Sequence, residues 1–221
     1  MITLYELAGK NDLRFSPPCW NVKLCLLYKN IDFETVAVGF SEKNKILFSN
    51  QQLVPVLKHQ DGHISDSWNI INWLDENYEN PKLFVNETSK NFSHFLYLWT
   101  SRQILPILFK IIAHEIPNIL EGDDLDHYIV TREERIKGPI TKFVPLISDS
   151  IKKFRNLINP MRSLIKKNGF ISGSNPGIED FIFFGNFKWV YTCSSCNLLD
   201  KEDEIFQWYK KINQIFNIET H

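Results

Sequence analysis

Short alternating runs of apolar and polar positions fill roughly the first eighty residues, and longer runs at helical spacing fill the rest. Ile2 to Glu6 reads as a β run, followed by a polar loop through Asn11 and Asp12. Pro17 and Pro18 precede Cys19 to Tyr28, where Val22, Cys25 and Leu26 fall at helical spacing. Phe33 to Val38 reads as a second strand, and Gly39 to Gln52 as a short helix and loop. Val54-Pro55-Val56-Leu57 is rich in β formers, Asp61-Gly62 supplies a turn, and His63 to Ser65 returns. Ser67 is placed to cap a helix whose Ile70, Ile71, Leu74 and Tyr78 share one face. The order is β-α-β-α-β-β-α. A proline within a central strand would remove a ladder donor. Pro55 stands instead at a strand start, where a cis Val54-Pro55 bond in a tight turn is tolerated.

After Tyr78 the pattern changes. Pro81 to Glu87 reads as a linker, and from about Thr88 the spacing is helical throughout. Asn91 to Ala113 carries a long apolar pattern that includes Phe95, Leu98, Trp99 and Phe109. Residues 128–154 and 159–167 read as further helices, Gly173 to Gly177 as a break, and Ile178 to Tyr191 as a helix with Ile178, Phe181, Ile182, Gly185 and Trp189 on one side. Asp203 to Phe216 closes the chain. The expected fold is α/β plus all-α, with a small α/β domain over residues 1–80 and an all-α domain over 88–221.

Hydrophobic residues at 43% and charged residues at 23% are enough for a real core and exclude a disordered or fibrous chain. A net charge of −1 leaves no basic field for nucleic acid or an anionic membrane. Met1 to Lys10 has no basic and apolar leader pattern. The longest apolar stretch, Ile104 to Ala113, is interrupted by Pro106 and Lys110 and falls short of a membrane span. Four cysteines do not make a disulfide scaffold. These features fit a soluble cytoplasmic protein with free thiols.

Phosphate loops, dinucleotide fingerprints and nucleophile elbows are missing. His114-Glu115 has no second histidine at helical spacing, so a core or surface histidine is the simpler reading. Cys193-Ser194-Ser195-Cys196 offers two ligands where a structural zinc site needs four, and it ends a helix instead of following a first strand. Ordinary thiols fit it better than a metal or redox site. The informative segment is Ser16-Pro17-Pro18-Cys19-Trp20, between the first strand and the first helix. A serine there forms no mixed disulfide, but it can donate a hydrogen bond to a sulfur outside the helix N-terminus, whose N–H groups and dipole favour a thiolate. The plainer alternative is a helix start with Ser16 as its cap.

Three separated features resemble the glutathione transferases. Ser16-Pro17-Pro18-Cys19-Trp20-Asn21-Val22-Lys23 is similar to the serine motif of the zeta-related branch, Val54-Pro55 to the family's Val-cis-Pro, and Asp66-Ser67 to its acidic-Ser pair. In the second half, Arg132-Glu133-Glu134 with Gly138, Gly169 to Gly173, Asp180-Phe181, Gly185 and Phe187-Lys188-Trp189 resemble the β-etherase-related branch, as does Ile64-Ser65-Asp66-Ser67. The resemblance implies a thioredoxin-like domain followed by a helical one, and glutathione as co-substrate with no metal. It also implies a hydrophobic electrophile in an inter-domain cleft lined partly by the helix from Phe95 to Phe109, and a homodimer. Ser16 would stabilise the glutathione thiolate, and Val54 would pair through its backbone with the cysteinyl unit, the neighbouring Pro55 being cis. Asp66 and Ser67 would hold the γ-glutamyl group, an ammonium and a carboxylate respectively. The reactions implied are β-aryl-ether cleavage, general conjugation or zeta-like isomerisation. A non-catalytic carrier of glutathione or hydrophobic compounds, and thiol-disulfide exchange through Cys19, are the competing classes.

Several positions depart from the family pattern. Gly177 replaces the usual Ser or Thr cap, so half of a capping box with Asp180 is missing. Gln52-Leu53 replaces the residues that meet the glycyl end of glutathione, leaving Lys43 or Lys45 as substitutes, and Asn21 stands where relatives carry Arg or Lys. Cys19 corresponds to a resolving position and is expected to be buried and inert, with Trp20 packing between the domains.

Overall fold

The computed structural model describes residues 1–218. Strand β1 (Ile2–Leu7) buries Ile2, Leu4 and Glu6 on one face, and β2 (Phe33–Val38) pairs with it in parallel. A parallel pair needs a crossover, which α1 (Pro17–Tyr28) supplies. Strand β3 (Val56–His59) runs antiparallel to β1, and β4 (Gly62–Ser65) antiparallel to β3, giving the sheet order β2-β1-β3-β4. Helix α2 (Ser67–Asn77) follows. The residues from 39 to 52 contain a 3-10 segment at Lys43–Ser49. The sheet, its helices and the all-helical remainder match the fold expected from the sequence, and the Val54-Pro55 peptide is cis.

The helical part comprises α3 (Glu87–Trp99), α4 (Leu105–Ile112), α5 (Gly122–Ile136), α6 (Ile147–Leu157), α7 (Asn159–Asn168), α8 (Ile178–Cys193) and α9 (Glu204–Ile215). A wide turn at Thr100–Ile104 joins α3 to α4, so that Pro106 falls in the first turn of α4, where its missing N–H costs little. Glu87–Ile112 is thereby a helical stretch of 26 residues, long and apolar enough by composition to cross a membrane. The helical pattern expected from Asn91 to Ala113 matches this stretch, but the whole stretch has the length and composition for a membrane span that the interrupted run from Ile104 to Ala113 lacks. Ile107, Leu108, Ile111 and Ile112 of α4 are buried, and the helix packs against α6 and α8.

Two expected boundaries are corrected. Residues 128–154 do not form one helix. Lys137 and Gly138 take positive φ, Pro139 follows, and a 3-10 segment at Ile140–Leu146 leads into α6. Helix α5 starts earlier, at Gly122, where Asp123 and Asp124 suit the positive end of the helix dipole. The cap of α2 is Asp66, not Ser67: its Oδ1 accepts from the amides of Trp68 (2.9 Å) and Asn69 (3.1 Å), at φ 72°.

Helices α1 and α8 are the centre of the molecule. Helix α1 buries Cys19, Trp20, Asn21, Val22, Leu24, Cys25 and Leu26, and α8 is covered on nearly every side, as expected for a helix lying wholly inside a core. They approach closely at Gly185, where a Cβ would lie 2.7 Å from the carbonyl oxygen of Pro17. Trp20 packs on Phe184 (ring centroids 6.0 Å apart), joining the two halves as expected. Asn21 is buried against α8, its amide between the carbonyls of Pro17 and Phe181, where a longer cation would not fit. The start of α8 is held by Asp180, whose carboxylate accepts from the amides of Ile171 (2.9 Å), Ser172 (3.0 Å) and Gly177 (3.2 Å) and from Trp208 Nε1 (2.7 Å). Only the Asp180 half of a capping box can exist here, because Gly177 has no side chain.

Candidate functional site

Strand register sets four of the five site residues expected from the sequence, Val54, Pro55, Asp66 and Ser67, at one end of the sheet, the end at which β1 leaves toward Ser16. Tyr5 pairs with Val56, and Val56 with Ser65. The segments just outside these pairs are therefore neighbours: the chain leaving β1 toward Ser16, Val54-Pro55 entering β3, and Asp66-Ser67 leaving β4. Ser16 precedes α1 with extended backbone (φ −70°, ψ 122°), and its side chain makes no capping bond. Pro17 and Pro18 hold the helical start, but they also remove two of the N–H groups that a helix terminus usually presents. Any anion placed there meets the Ser16 hydroxyl as a principal donor.

Ser16 is only 8% exposed, yet it borders a cleft of about 660 Å³. Leu7, Phe15, Pro17, Pro18 and Phe40 line one side; Leu105, Pro106, Phe109, Tyr128, Arg132 and Trp189 line the other. The expected contribution of the α3–α4 stretch is corrected toward its second half: Phe95 is 61% exposed and does not line the cleft. Val54, Pro55, Asp66 and Ser67 also lie outside its lining. Ser67 is buried and its hydroxyl is 3.1 Å from the Tyr97 hydroxyl, while the exposed Asp66 serves the α2 cap.

Cys19 is buried one turn into α1. Burial, with a smaller contribution from the charge of Glu6, pushes its thiol up to about 12, although the Ser16 hydroxyl and the Leu7 backbone hydrogen-bond the sulfur. It is therefore a protonated thiol at neutral pH and a poor nucleophile. The other pair is equally plain. Cys193 is buried at the end of α8, Cys196 is half-buried, and both are free. Burial raises both thiols. Among the described residues no group of three or more His, Cys, Asp or Glu stands where it could hold a metal.

A charged cluster behind Ser16 went unnoticed in the sequence. Glu6 is fully buried on β1, with Lys23 Nζ at 2.5 Å and Arg14 Nη1 at 2.9 Å. Burial raises its carboxyl, and Lys23 is the main force pulling it down again. Lys23 also lies 4.8 Å over the ring of Trp20, whose Nε1 donates to the Arg14 carbonyl (2.8 Å). The cluster ties the loop before Ser16 to α1. Its signal was legible: Ile2, Leu4 and Glu6 fall on the inward face of one alternating strand, which demands a partner for the charge.

The two candidate lysines separate clearly. Lys45 is held by Glu42 (2.6 Å) and by the carbonyl of Ala37 (3.0 Å). Lys43 is half-buried, and burial together with the Arg132 charge lowers its ammonium.

Comparison with known proteins supplies the context. Residues 12–82 match the family model for the glutathione S-transferase N-terminal domain, and residues 91–210 that for the C-terminal domain. Among solved structures, the chain is similar to a glutathione S-transferase of Ceriporiopsis subvermispora in complex with glutathione (TM-score 0.83, 19% identity, covering 98% of this chain and 96% of that one). A second from the same fungus, also with glutathione, gives TM-score 0.80 at 18% identity, covering 98% of each chain. The transferase GSTFuA3 of Phanerochaete chrysosporium gives 0.78 at 17%, covering 98% and 96%.

Proposed function

Because the chain belongs to the glutathione S-transferase family, we propose that it binds glutathione at the sheet end around Ser16 and directs its thiolate at an electrophile held in the adjoining cleft. The observation that carries this reading is Ser16 itself: a hydroxyl free of capping duty, at the start of α1, on the border of a largely apolar cleft. The glutathione complexes of the two Ceriporiopsis enzymes support the choice of co-substrate.

The roles follow from the chemistry of each group. The Ser16 hydroxyl turns from the Cys19 sulfur to the glutathione sulfur and donates to it, stabilising the thiolate whose proton passes to water. Val54, leading into the cis Pro55, presents backbone groups to the cysteinyl unit. Asp66 pairs with the γ-glutamyl ammonium, and the α2 start with Ser67 receives its carboxylate. Lys43, not the engaged Lys45, meets the glycyl carboxylate. The thiolate then attacks carbon, a C–S bond forms, and the leaving group departs with its electron pair. In the sharper form of the reading that bond is a β-aryl ether and the leaving group a phenolate, supported by the resemblance around Arg132-Glu133-Glu134. The domains divide at residues 80–88, the enzyme works in the cytoplasm, and it forms a homodimer.

Steady-state conjugation of chlorodinitrobenzene tests the reading. Removing one preorganised donor costs ~10²–10³ in rate. Ser16→Ala is expected to lower kcat/KM by about a hundredfold with little change in the glutathione KM. Equal turnover by Ser16→Ala and wild type would remove Ser16 from the chemistry. The buried, protonated Cys19 argues against thiol-disulfide exchange, and Cys19→Ala is expected to retain conjugation.

A further inference from the structure

Among the described residues, two arginines in the apolar cleft have no ion-pair partner. Arg132 and Arg135 stand three residues apart on α5 and both line it. The Arg132 guanidinium lies 5.2 Å from the Phe40 ring centre and 5.3 Å from that of Tyr128, and Arg135 lies 5.1 Å from that of Phe109. Ring faces pin such planar cations while leaving their N–H edges open. One Arg132 N–H is used on the Thr131 hydroxyl (3.0 Å). Among the described residues, no carboxylate forms an ion pair with either arginine. Nearby acids are occupied: Glu133 accepts from the amide of Ile140 (3.1 Å), and Asp124 accepts from the amide and hydroxyl of Ser41 (2.7 and 2.5 Å). Lys110 also lines the cleft and adds positive charge.

An apolar, aromatic cavity suits a flat aromatic molecule. Two half-stacked guanidiniums at its rim suit an anion, which arginine binds through paired N–H groups. The geometry points to an aromatic carboxylate as the ligand of this cleft, with Arg132 as the principal anion-binding residue and Arg135 as its support. The inference rests on reading the cleft as the second-substrate site and names the class of molecule it takes.

Calorimetric titration of the full chain with naphthoate and with neutral naphthamide, without glutathione, tests it. A charged hydrogen-bond pair is worth about a tenfold or greater gain in affinity. Wild type is expected to bind the acid at least about tenfold tighter than the amide. Arg132→Gln is expected to reduce that ratio to about one to three, and Arg135→Gln to reduce it partly. Equal wild-type affinities, or an acid preference that survives both substitutions, would overturn the assignment; the wild-type ratio decides even if a variant does not fold. A second readout, glutathione turnover of a chloronitrobenzoate against its amide, each scaled to its uncatalysed rate, separates the two readings. Naphthoate preference without turnover would sink the transferase reading and keep this one; turnover without acid preference would do the reverse.

Discussion

Asp180 satisfies four donors at once, the buried Ile171 amide and Trp208 indole and the part-buried Ser172 and Gly177 amides, so its removal has a calculable cost. In Asp180→Ala the amides of Ile171, Ser172 and Gly177 and the indole N–H of Trp208 lose their acceptor. An orphaned buried donor costs about 1–3 kcal/mol, so the two buried ones would cost ~2–6 kcal/mol, while the two part-buried amides can turn to water. Two effects reduce that. Burial is the largest influence on the Asp180 carboxyl and raises it, so the wild type already carries the cost of a desolvated charge, and water can occupy the space left behind. A net loss of about 2–4 kcal/mol remains, above the ~1 kcal/mol typical of single substitutions. Urea unfolding followed by tryptophan fluorescence is expected to show a lower midpoint at unchanged slope. Trp208→Phe removes one of the four donors and is expected to cost about 1–2 kcal/mol alone. The double variant should then cost about 1–2 kcal/mol less than the sum, because the indole is no longer orphaned. A loss below about 1 kcal/mol for Asp180→Ala, or additivity within about 0.5 kcal/mol, would refute the reasoning.

Other outcomes follow from the same contacts. Gly185→Ala places a Cβ 2.7 Å from the Pro17 carbonyl oxygen, and backbone cannot turn aside. Overpacking of ~1–3 kcal/mol exceeds the ~1 kcal/mol gained in helix propensity, so the melting temperature should drop by several degrees and conjugation should weaken as α1 shifts beneath Ser16. Cys19 has its thiol raised from 9.0 to about 12, so its contribution to stability is complete below 9.0 and is lost as pH rises toward 12. At about pH 11 that loss is about 3 kcal/mol, and Cys19→Ala should flatten the alkaline limb of a urea-midpoint series. Iodoacetamide on the native protein, followed by mass spectrometry, should modify the half-buried Cys196 first and leave Cys19, Cys25 and Cys193 for the denatured state. Modification of Cys19 ahead of Cys196 would contradict its burial.

Period and punctuation were enough to locate most elements. The alternation of Ile2, Leu4 and Glu6, the turn at Asp61-Gly62 and the strand-opening Pro55 located the strands whose pairing sets Val54-Pro55 beside Asp66-Ser67. What local pattern could not carry was packing. Gly185 reads as a small residue on a helix face, and only the crossing of α1 explains it. Residues 128–154 are apolar often enough to pass for one helix, and the left-handed Lys137 with Gly138 and Pro139 is what divides them. The cap of α2 went to Asp66 because its longer side chain reaches two amides, while the Ser67 hydroxyl found Tyr97 thirty residues away. Arg132 and Arg135 were visible as letters. That they face an aromatic cleft, without an ion-pair partner among the described residues, depends on the long-range placement of Phe40 and Phe109.

The most direct test of the central claim is ultraviolet difference titration of protein-bound glutathione across pH, in wild type and in Ser16→Ala. A free thiol titrates near about 8.5. Donation by Ser16 requires a bound thiol that titrates clearly lower in wild type and moves back toward the free value in the variant. Glutathione bound with an unshifted thiol, or a lowered value that survives Ser16→Ala, would contradict it.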